Sequence, residues 1–130
     1  MPEGGIDMGK EIFVKFEVPK ELADKIFEFI SVAKESGKVR KGTNEVTKNI
    51  ERGDANLVVL AEDVTPPEIM AHIPMLCDEK KIPYAYVPSR EELGKFVGLK
   101  VGTASVAVLN PGQGKKLMEE IIKDVESLRK

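Results

Sequence analysis

The sequence predicts an α/β fold, a three-layer α/β/α sandwich around a mixed sheet of about four strands. Two observations carry that prediction. Short runs rich in β-branched residues recur at Leu57–Ala61, Tyr84–Val87 and 105–109, separated by longer stretches with helical spacing of apolar residues. Two Ser/Thr-x-x-Glu boxes, Thr65-Pro66-Pro67-Glu68 and Ser89-Arg90-Glu91-Glu92, follow the first two runs, where a chain leaving a strand is caught at a helix start.

Taken in order, residues 1–11, with Gly4, Gly5 and Gly9 and little to bury, are expected to form a mobile leader. Residues 12–130 are expected to form one domain, long enough to bury a core without disulfides or a structural metal. Pro19 suits a first helical position, and Leu22, Ile26, Ile30 and Ala33 then share one face, widened by Phe27 and Phe29. Gly37 is expected to end that helix in a left-handed conformation. Val39 to Lys41 reads as a brief strand. Residues 42–52 read as a second helix, with Val46 and Ile50 inward and Gly53 as its stop.

Leu57–Ala61 reads as a strand covered on both faces. The box at Thr65 opens a helix that Pro74 interrupts or kinks, with a further set of turns to about Lys81. Tyr84–Val87 is the third strand, and the box at Ser89 opens a helix ending at Gly98. Residues 105–109 make the fourth strand. After Asn110-Pro111-Gly112 a final amphipathic helix carries Leu117, Ile121, Val125 and Leu128. The mixture of elements leaves the strand order open.

Composition narrows the functional classes. The longest uninterrupted apolar run is Leu57–Ala61, against the ~20 residues that a membrane-spanning helix needs. No basic-then-apolar leader follows Met1, and the single cysteine, Cys77, rules out a disulfide framework, so a cytoplasmic protein is expected. Net charge is −2, which argues against a protein that coats nucleic acid by bulk attraction. The charge is unevenly spread, however. Residues 38–52 hold Lys38, Arg40, Lys41, Lys48 and Arg52 against Glu45 and Glu51, a net +3, leaving −5 for the rest of the chain.

Three groups of residues invite chemistry. Gly112-Gln113-Gly114-Lys115 stands between a strand and a helix, where backbone N–H groups can hold a phosphate. A nucleotide P-loop needs G-x-x-x-x-G-K followed by Ser or Thr, but Lys115 is followed by Lys116, so a plain glycine turn accounts better for it. His72 and Cys77 stand five apart with no further His or Cys, which suits a polar helix position and a buried thiol rather than a metal site or a nucleophile–base pair. No pair of carboxylates forms an acid–base couple, so no catalytic centre and no cofactor are expected.

The third group is Arg40-Lys41-Gly42-Thr43-Asn44-Glu45-Val46-Thr47-Lys48. Gly42 and Thr43 lie where a helix begins, so their N–H groups can face a phosphate. Asn44, Glu45 and Lys48 fall together on that helix, one turn apart, while Val46 and Ile50 point to the core. An ionised Glu45 only accepts, Lys48 only donates and Asn44 does both, a set that matches the donors and acceptors of a guanine. The same spacing also describes a solvated Glu45–Lys48 surface pair contributing about 0.3 kcal/mol. The residues alone leave both readings open.

The run R-K-G-T-N-E-V-T-K, then L-V-V-L-A-E-D-V-T-P-P-E-I, then I-P-M-L-C-D-E-K-K-I-P-Y-A-Y-V, resembles the archaeal ribosomal protein L-seven-Ae family. The similarity continues through E-L-G-K-F-V-G-L-K-V and A-S-V-A-V and spans about residues 15–125. It implies an α/β/α protein without catalytic activity that binds kink-turn and kink-loop RNA, which bends at a short bulge flanked by tandem sheared G·A pairs. By the same resemblance Asn44, Glu45 and Lys48 read the guanines of those pairs, and Arg40, Lys41, Gly42 and Thr43 contact the adjacent backbone. Ile69 and the loop of Leu99, Lys100 and Val101 would pack on flipped-out bulge nucleotides. The implied partners are 23S ribosomal RNA, box C/D and H/ACA guide RNAs, RNase P RNA and ribonucleoprotein scaffold proteins, with a monomer expected when free. Two positions depart from the family pattern: Lys100 stands where an acidic residue is usual, and Phe96-Val97 replaces a smaller pair.

Overall fold

A computed structural model describes residues 12–129; the leader expected at 1–11 lies outside the described residues, as does Lys130. The chain runs through helix α1 (Lys20–Ser36), strand β1 (Lys38–Lys41), helix α2 (Thr43–Arg52) and strand β2 (Leu57–Ala61). A single 3₁₀ turn (Pro67–Met70) then leads into α3 (His72–Lys80), β3 (Tyr84–Val87), α4 (Arg90–Phe96) and β4 (Ser105–Asn110). A second 3₁₀ turn (Gly112–Gly114) enters α5 (Lys115–Leu128).

The sheet is mixed, in the order β1-β4-β2-β3. β4 pairs antiparallel with both β1 and β2, and β2 pairs parallel with β3. Every residue of β2 and β3 is buried, as expected of strands covered on both faces. Helix α1 packs on α4 and α5, and α2 packs on α3, each group also meeting the sheet, so helices close both sides. The core is one cluster that runs from Ile26, Phe29 and Ile30 of α1 through Leu57, Val59 and Val106 to Val46, Ile50 and Ile73. Each such side chain contributes roughly 1.5–3 kcal/mol by leaving water. At the β3 edge the Tyr86 hydroxyl donates to the Phe13 carbonyl and accepts from the Lys15 N–H, which fastens the chain before α1 to the sheet.

Several expectations are corrected. Pro19 caps α1 rather than beginning it. Gly37 is not left-handed, with φ −127° and ψ −138°. It is there for space, because a Cβ would come within 2.0 Å of the Asn110 carbonyl oxygen. The box at Thr65 makes no side-chain cap, and the α-helix starts only at His72. The cause is Pro67, which pushes the residue before it out of the helical region, so Pro66 is extended (φ −77°, ψ 144°). Pro74 does not kink α3. It occupies the first turn, where its missing N–H has no helical partner to lose. In α5 the inward stripe is Met118, Ile121 and Val125; Leu117 is only half-buried and Leu128 is exposed. The box at Ser89 does form, its hydroxyl accepting the Glu92 N–H at 3.2 Å.

Candidate nucleic-acid interface

Strand register decides which loops meet. Lys41, the last residue of β1, pairs with Val106, and Leu60, near the end of β2, pairs with Ser105. Ala61 pairs with Val87 at the end of β3. The start of α2, the loop after β2, the start of α4 and the loop before β4 therefore leave the same end of the sheet. Turn residues Gly112, Gln113 and Gly114 lie at the other end, beside the Lys38–Asn110 pair.

At the shared end, Gly42 turns the chain out of β1 with φ +94°, a conformation that favours glycine, and its N–H donates to the Ser105 carbonyl at 3.1 Å. That amide is thus committed within the protein and does not face a ligand, contrary to what its place at a helix start suggested. Val46 is the first residue of α2 whose N–H meets a helical carbonyl, that of Gly42. No side chain caps the helix, so the N–H groups of Thr43, Asn44 and Glu45 have no partner among the described residues. The opposite end is closed by Gly53 in the left-handed conformation.

Asn44 and Lys48 are exposed and Glu45 is half-buried. No ion pair joins Glu45 to Lys48 among the described residues, and none of the side chains of Asn44, Glu45 and Lys48 has a hydrogen-bonding partner there, although the Glu45 carbonyl accepts from Asn49 Nδ2 at 2.8 Å. The surface-pair reading of this helix face is not realised. Lys41 and Lys100 are likewise exposed without an ion pair, whereas half-buried Arg40 turns its guanidinium to the Val39 carbonyl at 3.3 Å.

Two links tie this helix to the chain carrying Ile69. The Thr43 hydroxyl lies 3.7 Å from Met70 Sδ, and Thr47 Oγ1 lies 2.9 Å from His72 Nε2. Ile69 is 46% exposed on the turn between these links, a large apolar side chain facing solvent. The loop of Leu99, Lys100 and Val101 runs back along α4. The Leu99 N–H donates to Gly94 at 2.8 Å and the Thr103 N–H to Arg90 at 3.0 Å, while Asp63 accepts the Arg90 N–H at 2.8 Å. Within the loop the apolar residues part ways: Leu99 packs against the core margin and Val101 stands 70% exposed. The sequence singled out His72 only as an ordinary polar helix position and gave Thr47 no role of its own, and it offered no sign of Asp63 or Gly94, whose parts depend on contacts between distant segments.

The other candidates fall away on contact geometry. The Gly112 N–H is held by Asn110 Oδ1, that of Gln113 by Ser36 Oγ and that of Gly114 by the Pro111 carbonyl, so no amide of this turn is free to cradle a phosphate. Cys77 is fully buried, and burial pushes its thiol up to about 12. A chromogenic disulfide reagent at pH 8 should therefore react with Cys77 only as fast as the protein unfolds; a rapid reaction in the folded state would contradict this burial.

The Giardia lamblia 15.5kD RNA binding protein, a solved structure, matches this chain with a TM-score of 0.82 at 28% sequence identity, over 90% of this chain and 97% of its own. The model of the ribosomal protein L7Ae/L30e/S12e/Gadd45 family matches residues 24–118, which take in α2, the Ile69 turn and the loop of Val101 alike, and the chain belongs to that family.

Proposed function

We propose that this protein is a non-catalytic RNA-binding protein that recognises kink-turn and kink-loop motifs and so nucleates ribonucleoprotein assembly. The observation that carries the reading is the trio Asn44, Glu45 and Lys48, whose side chains have no partners among the described residues, at the same end of the sheet as two exposed apolar side chains, Ile69 and Val101. A carboxylate facing RNA is repelled by phosphates unless it meets base donors. Glu45 accepts from the N–H groups of a guanine, and Lys48 and Asn44 address its O6 and N7. Ile69 and Val101 supply apolar surface for unstacked bulge nucleotides. The open N–H groups of Thr43 and Asn44, with Lys41 nearby, suit an adjoining phosphate. The family membership and the RNA-binding neighbour support the same reading, and ribosomal, box C/D, H/ACA and RNase P RNAs are its natural targets, with scaffold proteins docking afterwards on a monomer in the cytoplasm.

The test compares a kink-turn with the same RNA whose tandem G·A pairs are changed to Watson–Crick pairs. Binding should be lost almost entirely on that change, whereas equal binding to a plain duplex would refute the reading. Glu45→Ala and Lys48→Ala should each weaken binding by about 1–3 kcal/mol, roughly five- to 150-fold, with no change in thermal stability.

A further inference from the structure

One polar side chain at the same end of the sheet is used by none of the roles above. His72 opens α3, three residues after Ile69, and is exposed. Its Nε2 meets Thr47 Oγ1 at 2.9 Å, and the Thr47 hydroxyl also reaches the Thr43 carbonyl at 2.7 Å. A hydroxyl has one proton, and the carbonyl can only accept it. Toward His72, then, Thr47 is the acceptor and Nε2 carries the proton. In the neutral ring this leaves Nδ1 as a bare acceptor, with no protein partner among the described residues.

We propose that His72 Nδ1 accepts a hydrogen bond from a ribose 2′-hydroxyl of the bound RNA, and that this contact contributes to selecting ribose over deoxyribose. The inference rests on kink-turn binding by this face. Thr47 stands three residues from Asn44, and His72 three from Ile69. Thr47 holds the imidazole against α2, so a strand whose bases meet the trio and whose next nucleotides pack on Ile69 would carry its sugars near it. Phosphates offer no proton, and the base donors are matched by Glu45. The 2′-hydroxyl is the donor that every RNA nucleotide, and no DNA nucleotide, presents there. An acceptor nitrogen that carries no negative charge also avoids the phosphate repulsion that a second carboxylate would suffer.

The experiment measures binding of the full chain to a kink-turn RNA bearing single 2′-deoxy substitutions, one at a time, across the bulge and its flanking nucleotides. For the wild type, one position should lower affinity by roughly fivefold, as loss of a single neutral hydrogen bond does. In His72→Ala the unmodified RNA should bind more weakly by a similar factor, and the deoxy substitution at that position should have no further effect. His72→Asn keeps an acceptor close to the place of Nδ1 and should recover sensitivity at the same nucleotide, which keeps the test decisive if the alanine variant folds poorly. Equal sensitivity in wild type and His72→Ala, or no sensitive position in the wild type, would overturn the proposal. If the unmodified kink-turn bound no better than a duplex, the functional reading itself would fall, and the inference with it.

Discussion

Gly94→Ala should impair RNA binding about tenfold or more, although alanine is the better helix former by ~1 kcal/mol. Gly94 sits within α4, and a Cβ there would lie 2.1 Å from the Val101 carbonyl oxygen and 3.0 Å from Gly102 Cα. Both are backbone atoms, so no side chain can swing aside. The loop bearing Val101 must lift off α4, and its two ties, from Leu99 to Gly94 and from Thr103 to Arg90, must stretch with it. Overpacking of this kind costs about 1–3 kcal/mol, but a surface loop relieves part of it by moving. The loss is therefore expected chiefly in binding, and chiefly for RNAs whose bulge nucleotide packs on Val101. Affinity for a kink-turn and for one lacking that nucleotide, measured beside thermal unfolding, separates the two effects. Unchanged binding with raised stability would show that only helix propensity matters at this position.

The second large effect is on folding and falls at the opposite end of the sheet. Gly37→Ala places a Cβ 2.0 Å from the Asn110 carbonyl oxygen and 2.7 Å from the Gly112 nitrogen. Here α1 turns into β1 against the turn that leads from β4 into α5. Lys38 pairs with Asn110, Ser36 Oγ accepts the Gln113 N–H, and Asn110 Oδ1 accepts that of Gly112. Neither segment can retreat without breaking those bonds, so the cost should reach about 3 kcal/mol. For a chain of this length that lowers the melting temperature by roughly 10 °C. Kink-turn affinity of the folded protein should be unchanged, because Lys41 and Val106, not Lys38 and Asn110, mark the end proposed to meet RNA. A variant as stable as the wild type would mean that the corner is looser than its geometry indicates.

Much of the fold was legible because the relevant signals are local. A β-branched run such as Leu57–Ala61 favours a strand wherever it stands, and Ser89 with Glu92 caps a helix through neighbouring atoms. Helix α2 was legible for the same reason, from Gly42, from Gly53 and from the inward spacing of Val46 and Ile50. Where neighbours compete, the local signal misleads: the Thr65 box matches the capping pattern, yet consecutive prolines hold the chain extended through it.

By itself, then, the sequence determined most of the elements and the grouping of Asn44, Glu45 and Lys48 on one helical turn, since spacing along a helix is fixed by backbone geometry. Tertiary structure alone decided that Glu45 and Lys48 stay unpaired among the described residues, that Gly42 commits its N–H to Ser105, that Leu99 turns inward while Val101 stays out, and that His72 reaches Thr47. It also decided that α2, the Ile69 turn and the loop of Val101 share an end, because that follows from the strand order β1-β4-β2-β3. Strand order depends on pairings between residues far apart in the chain, where local spacing exerts no force.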